Sequence, residues 1–137
     1  MFTYSKLAQA GIAAVSYLAE IGGEHRLAGS GEIAEARELS RALVAKILTQ
    51  LSAAGLVDGK PGPAGGYHLA RDPAHISLLD VVRVFEDVDG SQVMCPFGPH
   101  WCGTGSPCPL HDTFAGLREQ VLERLGRETF EQFVSRP

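Results

Sequence analysis

Apolar residues in the first half of the chain recur every three or four positions, which is the spacing of one face of a helix. This pattern predicts three helices, over residues 5–21, 31–38 and 41–54. The first ends at the Gly22–Gly23 pair, and Ser30 and Ser40 are each placed to cap the helix that follows. On the third helix, four apolar residues fall on the buried face: Val44, Ile47, Leu48 and Leu51.

The outward face of the third predicted helix carries only small and polar side chains. Its members are Arg41, Ala42, Ala45, Lys46, Thr49 and Gln50. Two are cations and none is a carboxylate, so this face is slim enough and suitably charged to enter a major groove. There, Arg, Lys and Gln can donate hydrogen bonds to base edges or phosphates. The same residues also fit an ordinary solvated helix face.

Two short strand-like segments follow, Leu56-Val57 and Tyr67-His68-Leu69, joined by the sequence DGKPGPAGG. The glycines and prolines predict a hairpin tip, with Lys60 beside it. A short helix, a capped second helix and a glycine-rich hairpin, in that order, predict a winged helix-turn-helix. In that arrangement the second helix reads the major groove, while the hairpin approaches phosphates or the minor groove.

The second half of the chain predicts three more helices. Ser77 and Asp80 form a capping box that opens a helix through about Glu86. A long helix over 109–127 carries an apolar stripe made of Phe114, Leu117, Val121 and Leu125. That stripe can be buried within one subunit or can pair with the same helix of a second subunit. A short final helix is expected after Thr129, with Phe130, Phe133 and Val134.

Charge is divided unevenly along the 137 residues. The net charge is -4, yet residues 1–71 carry seven Lys or Arg against six Asp or Glu, and residues 72–137 carry five against ten. A nucleic-acid-binding surface would therefore be a local patch in the first half. The apolar runs are too short to cross a membrane, and the N-terminus lacks the basic start of a signal peptide. We expect a cytoplasmic protein.

All three cysteines fall in one segment, CPFGPHWCGTGSPCPLH, which runs from Cys95 to His111. Its glycines and prolines suit a loop that folds back on itself. Pro109 fits the first position of a helix, so Cys108 and His111 should share one face of its opening turn, with the helix dipole lowering the thiol pKa. Structural zinc sites usually have closer cysteine pairs. The spacing therefore favours an iron–sulfur cluster, with zinc, another metal or thiol redox chemistry as alternatives.

The whole pattern resembles the Rrf-two (Rrf2) family of bacterial winged-helix regulators, of the IscR, NsrR and RirA type. The likeness rests on the segment SKLAQAGIAAVSYLA, the segment EIAEARELSRALVAKILTQLSAAGLVDGKPGPAGGYHLA, the ISLLDVV that follows, and three cysteines ending in CPLH. The implied fold is mainly α with a small β-hairpin wing and a long C-terminal dimerisation helix. We divide the chain into a DNA-binding domain, 1–75, and a cysteine-loop sensor and dimerisation region, 76–137.

The resemblance implies a homodimeric, cytoplasmic transcription factor that binds double-stranded DNA and is not an enzyme. The implied cluster ligands are Cys95, Cys102 and Cys108, with His111 at the place where IscR-like members have a histidine. NsrR-like members instead take a carboxylate from the partner's first helix, and residues 5–8 read SKLA, with no acid. A [2Fe-2S] cluster is therefore favoured over a [4Fe-4S] cluster. The candidate DNA contacts are Lys6, Ser40, Arg41, Ala45, Lys46, Thr49, Gln50, Lys60 and Gly65.

Two other functions remain compatible with the cysteine segment. In the first, the protein is a thiol-based redox protein or a regulator without a cluster, with Cys108 activated by His111. That hypothesis leaves the winged domain unexplained and shows no third residue to orient the histidine. In the second, the protein binds DNA and the loop holds a purely structural metal.

Overall fold

The computed structural model describes residues 5–88 and 107–134. Its helices are α1 (Lys6–Ile21), α2 (Ser30–Ala36), α3 (Arg41–Ala53), α4 (Leu78–Phe85) and α5 (His111–Arg127), and its strands are β1 (Val57–Lys60) and β2 (Gly66–Leu69). Two single 3-10 turns, Pro73–His75 and Phe130–Phe133, complete the described elements. The architecture is mainly helical, with a two-stranded hairpin and a C-terminal helix, which confirms the predicted winged helix-turn-helix class.

Helix α1 is the central element of the core. The Ser5 side chain accepts the Ala8 backbone N–H at 3.1 Å, and the chain leaves the helix at Gly22, where a φ of 141° suits glycine. Its buried face packs against α3 and α4. That face contains many small side chains, among them Ala8, Ala10, Ala14 and Ala19, which allow neighbouring helices to approach closely.

Helix α2 differs from its prediction at both ends. Gly29, rather than Ser30, occupies the N-cap, and no side chain caps the helix. The preceding link is held by Tyr67, whose N–H and C=O pair with Ala28 at 2.8 and 2.9 Å, so the turn into the helix falls at Gly29. The helix ends at Ala36. Glu38 then takes a left-handed conformation, with φ at 53°, in the tight turn before α3.

Helix α3 confirms its prediction closely. The Ser40 hydroxyl oxygen accepts the Leu43 backbone N–H at 3.1 Å, which makes Ser40 the N-cap. The four apolar residues predicted to face the core are completely buried: Val44, Ile47, Leu48 and Leu51. Burial of each such side chain contributes about 1.5–3 kcal/mol relative to exposure, so this face fixes the helix on the core.

The hairpin is longer than predicted. Val57 pairs with Leu69 and Lys60 pairs with Gly66, so residues 58–60 belong to β1 rather than to the connection. The tip is reduced to Pro61–Gly65, with the Gly65 N–H bonded to the Gly62 carbonyl at 3.0 Å. A side chain at Gly65 would overlap the Lys60 carbonyl, which explains why glycine is needed there.

The C-terminal segment returns to the same core. Ser77 and Asp80 form the predicted capping box, and Val81 and Val82 of α4 are buried. Beyond α5, the Phe130 N–H donates to the Ile76 carbonyl at 3.0 Å, and the Phe130 ring is fully buried in the core, where its turn packs against α1 and the Pro73–His75 turn. The proposed division at residue 75 therefore separates segments that share one core, and it stays a prediction.

Helix α5 begins two residues later than predicted. His111 is its first residue, and Leu110 takes the N-cap position without a side-chain hydrogen bond. None of the residues of α5 is fully buried, and Leu117 is 40% exposed. No helix in the described ranges is both long and apolar enough to span a membrane.

Candidate nucleic-acid interface and cysteine site

The predicted outward face of α3 is exposed or half-exposed in the structure. Arg41, Ala45, Lys46 and Thr49 are exposed and Gln50 is half-exposed. Two hydroxyls are partly used within the fold: Ser40 accepts the Leu43 N–H, and Thr49 donates to the Ala45 carbonyl at 3.0 Å. Ser40 can still donate its hydroxyl proton outward, since accepting one bond leaves that proton free. The face thus offers donors and positive charge without a carboxylate.

A groove of about 370 Å³ separates α3 from the hairpin. Its walls are Thr49 and Ser52 on the helix and Gly59, Lys60, Pro61, Gly66 and Tyr67 on the hairpin. The structure thus brings together two predicted contacts, Thr49 and Lys60. Ser52 and Tyr67 were not predicted, although strand pairing offered a signal for Tyr67. It lies directly opposite Gly59 in the ladder, and its ring covers the space that a Gly59 side chain would fill.

Lys6 lies apart from that groove, at the exposed start of α1. The backbone N–H of its neighbour Ser5 donates to the Glu86 carboxylate at 3.1 Å, just beyond α4. The start of α1 is thereby tied to the segment that leads into the cysteines. This contact could not be predicted from sequence patterns, because the two residues are 81 positions apart.

A polar network holds α2 against α1. The Tyr17 hydroxyl donates to the Glu32 carboxylate at 2.5 Å, and Arg26 pairs with the same carboxylate at 3.1 Å. This hydrogen bond, assisted by partial desolvation, raises the pKa of Tyr17 above its usual 10.0. On the other side, the Arg37 guanidinium lies 5.2 Å from the centre of the Tyr17 ring and pairs with Glu20 at 2.8 Å. These contacts connect α1 to α2, the first helix of the helix-turn-helix.

The cysteine site is described only at its C-terminal end. Cys108 is 5% exposed, and its carbonyl accepts the His111 backbone N–H at 3.0 Å. Cys108 therefore lies in a turn before α5, and the prediction that both residues share the helix's opening turn is wrong. The cause is that Pro109 and Leu110 form a turn of their own. Cys95 and Cys102 lie outside the described residues.

The donors that are described suit a soft metal centre. A buried thiol and a half-exposed imidazole, joined through a single turn, are ligand types found in iron–sulfur and zinc sites. Within residues 5–88 and 107–134, no group of three His, Cys, Asp or Glu side chains could hold a metal ion. Any metal centre of this chain that uses Cys108 and His111 would therefore need at least one further ligand from outside these residues.

Comparison with known proteins agrees with this fold and surface. Residues 4–136 match the Rrf2 family model, described as an iron-dependent transcriptional regulator. The chain is 29% identical to a putative HTH-type transcriptional regulator of Aquifex aeolicus, covering 96% of this chain and 91% of that protein. It is 31% identical to the HTH-type transcriptional regulator IscR of Xenorhabdus nematophila, covering 75% of this chain and 62% of that one.

Solved structures extend the comparison to the whole fold. CymR, the global cysteine regulator of B. subtilis, superposes with a TM-score of 0.78 at 23% identity, covering 98% of this chain and all of that one. IscR of T. potens superposes with a TM-score of 0.73 at 25% identity, covering 96% and 85%. The family model covers nearly every residue and describes regulators rather than enzymes. The chain therefore belongs to the Rrf2 family of DNA-binding, helix-turn-helix transcriptional regulators.

Proposed function

We propose that the operator affinity of this regulator is controlled by an iron–sulfur cluster held by Cys95, Cys102, Cys108 and His111. The observation that carries the proposal is the buried Cys108 thiol one turn before His111, at the start of α5. Relatives named IscR and a family model described as iron-dependent support it. When bound, such a cluster supplies an iron-containing, redox-active centre whose assembly depends on the state of the cell.

The proposed DNA contacts divide into phosphate-binding and base-reading groups. Lys6, Arg41 and Lys60 are assigned to phosphates, with Gly65 at the hairpin tip allowing close approach of the DNA backbone, whereas Ala45, Lys46 and Gln50 lie on the face of α3 that would enter the major groove. Ser40 and Thr49 can reach either. Support comes from the exposure of these residues, from the absence of any carboxylate on α3, and from the groove beside Lys60.

The proposed coupling between the two sites runs through α5, α4 and α1. The Arg118 guanidinium on α5 donates to the Val88 carbonyl, and Glu86, two residues earlier, accepts the N–H of Ser5 at the start of α1. Residues 86–88 thus contact both the cysteine-side helix and the central helix of the DNA-binding unit. In a homodimer, a small movement of α5 would have a larger effect on DNA affinity, because two recognition helices must fit two half-sites at once. Cytoplasmic location remains part of the proposal.

The cluster is tested by anaerobic purification. We expect a coloured protein containing iron and acid-labile sulfide, whose absorption and Mössbauer spectra indicate a [2Fe-2S] centre. Cys108→Ser should abolish the colour, and His111→Ala should alter the spectrum. His75→Ala, at an exposed histidine on a 3-10 turn, is the matched control and should leave it unchanged. Colourless protein with stoichiometric zinc would refute the proposal.

The DNA contacts are tested by titration at several salt concentrations. Lys60→Ala should weaken binding to operator and unrelated DNA alike and reduce the salt slope by about one per site. Gln50→Ala should instead change operator preference. Arg127→Ala removes a comparable charge from the end of α5, where its partner is Glu123, and should have little effect. If Lys60→Ala bound DNA with unchanged affinity, the hairpin would not be part of the DNA interface.

A second candidate is regulation by the thiols themselves, without a cluster. It is favoured by the fold similarity to CymR, whose structures include one described as an oxidized form from Staphylococcus aureus. In that case iron chelators would leave DNA affinity unchanged, whereas a thiol oxidant would alter it and Cys108→Ser would abolish the response. A DNA-binding protein with a purely structural metal loop would respond to neither oxidant nor nitric oxide.

A further inference from the structure

Arg41 is in an unfavourable place for the stability of its own helix. It is the first residue of α3, where the positive end of the helix dipole repels a cation. The first turn of α3 contains no acidic residue. Glu32 and Glu35 of α2 line the same pocket as Arg41, but Glu32 pairs with Arg26, and no ion pair joins a carboxylate of the described residues to the exposed Arg41 guanidinium. A cation kept in such a position contributes little to folding. Its charge is instead available to an anion from outside the protein.

The position of that guanidinium is set by a neighbour on another helix. Arg41 lies over Gly31 in the first turn of α2, where its Cζ and Nε are each 3.0 Å from the point that a Gly31 Cβ would occupy, and one terminal nitrogen is closer still. Real Cβ contacts are almost never shorter than 3.0 Å. Any side chain at position 31 would therefore push the Arg41 guanidinium away, without disturbing the backbone of either helix.

Glycine at position 31 has a cost that this contact explains. A helix that contains glycine is less stable than the same helix with alanine. Gly31 does not need the conformational freedom of glycine, because it lies in the first turn of α2 and its φ is not positive. Gly29, two residues earlier, has open space around it, so the end of α2 is not crowded in general. The close approach at Gly31 is specific to Arg41.

We propose that Gly31 is a positioning residue of the DNA-binding surface: it lets the Arg41 guanidinium lie across the start of α2, where it binds a DNA phosphate. The inference rests on the proposed function, since it requires that α3 face DNA. In a helix-turn-helix the first helix crosses the DNA backbone while the second enters the groove. A guanidinium lying between α2 and α3 is therefore placed for the backbone rather than for base edges.

The test is a double-mutant cycle measured by fluorescence anisotropy. Wild type, Gly31→Ala, Arg41→Ala and the double variant are titrated with a labelled operator duplex, selected by the protein from random sequences, and with an unrelated duplex. We expect Arg41→Ala to weaken binding to both duplexes by roughly tenfold, with a smaller salt slope. Gly31→Ala should weaken it severalfold in the wild-type background and not at all in the Arg41→Ala background.

Stability measurements separate positioning from misfolding. Gly31→Ala should keep or raise Tm, because alanine is the better helix former. Gly29→Ala adds the same methyl group to the same end of α2 without touching Arg41, so its DNA affinity should remain at the wild-type level. Arg41→Lys keeps the charge but loses the planar group that lies against Gly31. In that background the effect of Gly31→Ala should shrink.

The outcomes distinguish this inference from the proposed function. If wild-type protein shows no salt-dependent binding to either duplex, the DNA-binding function itself fails. If wild type binds but Gly31→Ala binds equally well, or loses the same factor whether or not Arg41 is present, Gly31 has no positioning role. A loss confined to the operator duplex would overturn the phosphate assignment of Arg41.

Discussion

Helices α3 and α5 have similar apolar patterns and opposite surroundings. The four apolar positions of α3 are completely buried within one subunit, whereas α5 has no fully buried residue and Leu117 is 40% exposed. The N-cap of α3 is Ser40, whose side chain accepts a backbone N–H, whereas the N-cap of α5 is Leu110, which makes no side-chain capping bond. The apolar face of α3 is thus buried within a single chain, while α5 leaves apolar side chains exposed.

This difference in burial indicates a different role for each helix. A recognition helix must hold its donors in a fixed geometry, so its other face is fixed on the core. A helix that transmits a signal or joins two subunits can keep apolar side chains exposed in the single chain, because a partner buries them when the subunits assemble. The following experiments test this contrast, beginning with the largest expected effect.

The sharpest test within the C-terminal segment compares two phenylalanines three residues apart. Phe130 is fully buried in the core, whereas Phe133 is 43% exposed. Phe130→Ala should reduce the free energy of unfolding by about 3–5 kcal/mol, measured by urea denaturation. Phe133→Ala should cost less than about 1 kcal/mol in a monomer. Equal losses would mean that Phe133 is buried in an assembly and that α5 belongs to a larger core.

Helix α5 is tested by placing a charge on its apolar stripe. If the stripe pairs with a second copy, Leu117→Glu removes two buried leucine contacts per dimer. The dimer dissociation constant should then rise by roughly a hundredfold or more, measured by sedimentation equilibrium. Gln120→Glu adds the same charge at an exposed position outside the stripe and should change the constant little. An unchanged constant in Leu117→Glu would exclude α5 from the subunit interface.

Local sequence signals predicted the parts of the fold that local chemistry determines. The caps at Ser40 and Ser77 and the buried face of α3 depend on residues three or four positions apart, so a short stretch of sequence is enough to predict them. The hairpin was recognised from its glycines and prolines, but its length was not, because pairing continues as far as Lys60.

Features that depend on distant contacts could not be predicted in this way. The Ala28–Tyr67 bridge, which moves the N-cap of α2 to Gly29, joins the link to the hairpin, and the Gly31–Arg41 contact joins two helices. The start of α5 was misplaced because a proline that suits a helix's first position also suits a turn. At the cysteine site, the sequence identified the donors, but Cys95 and Cys102 fall outside the described residues.

The cap at Ser40 tests how firmly the recognition helix is anchored. Ser40→Ala removes the acceptor of the Leu43 N–H and should lower the free energy of unfolding by about 1 kcal/mol, measured by urea denaturation. Ser52→Ala, near the other end of α3, is the matched control. It should be neutral or slightly stabilising, because alanine is a better helix former than serine. Equal losses would show that the cap contributes nothing specific.

The smallest expected effect concerns the turn that leads into α3. Glu38 has a φ of 53°, a conformation that costs a residue with a Cβ about 1 kcal/mol or more, and its side chain is exposed. Glu38→Gly relieves that strain, although glycine also gains entropy in the unfolded chain, so the net gain should be at most about 1 kcal/mol. Glu38→Ala keeps the Cβ and should bring no gain. If both variants have the same Tm in thermal unfolding, the positive φ of Glu38 does not limit stability.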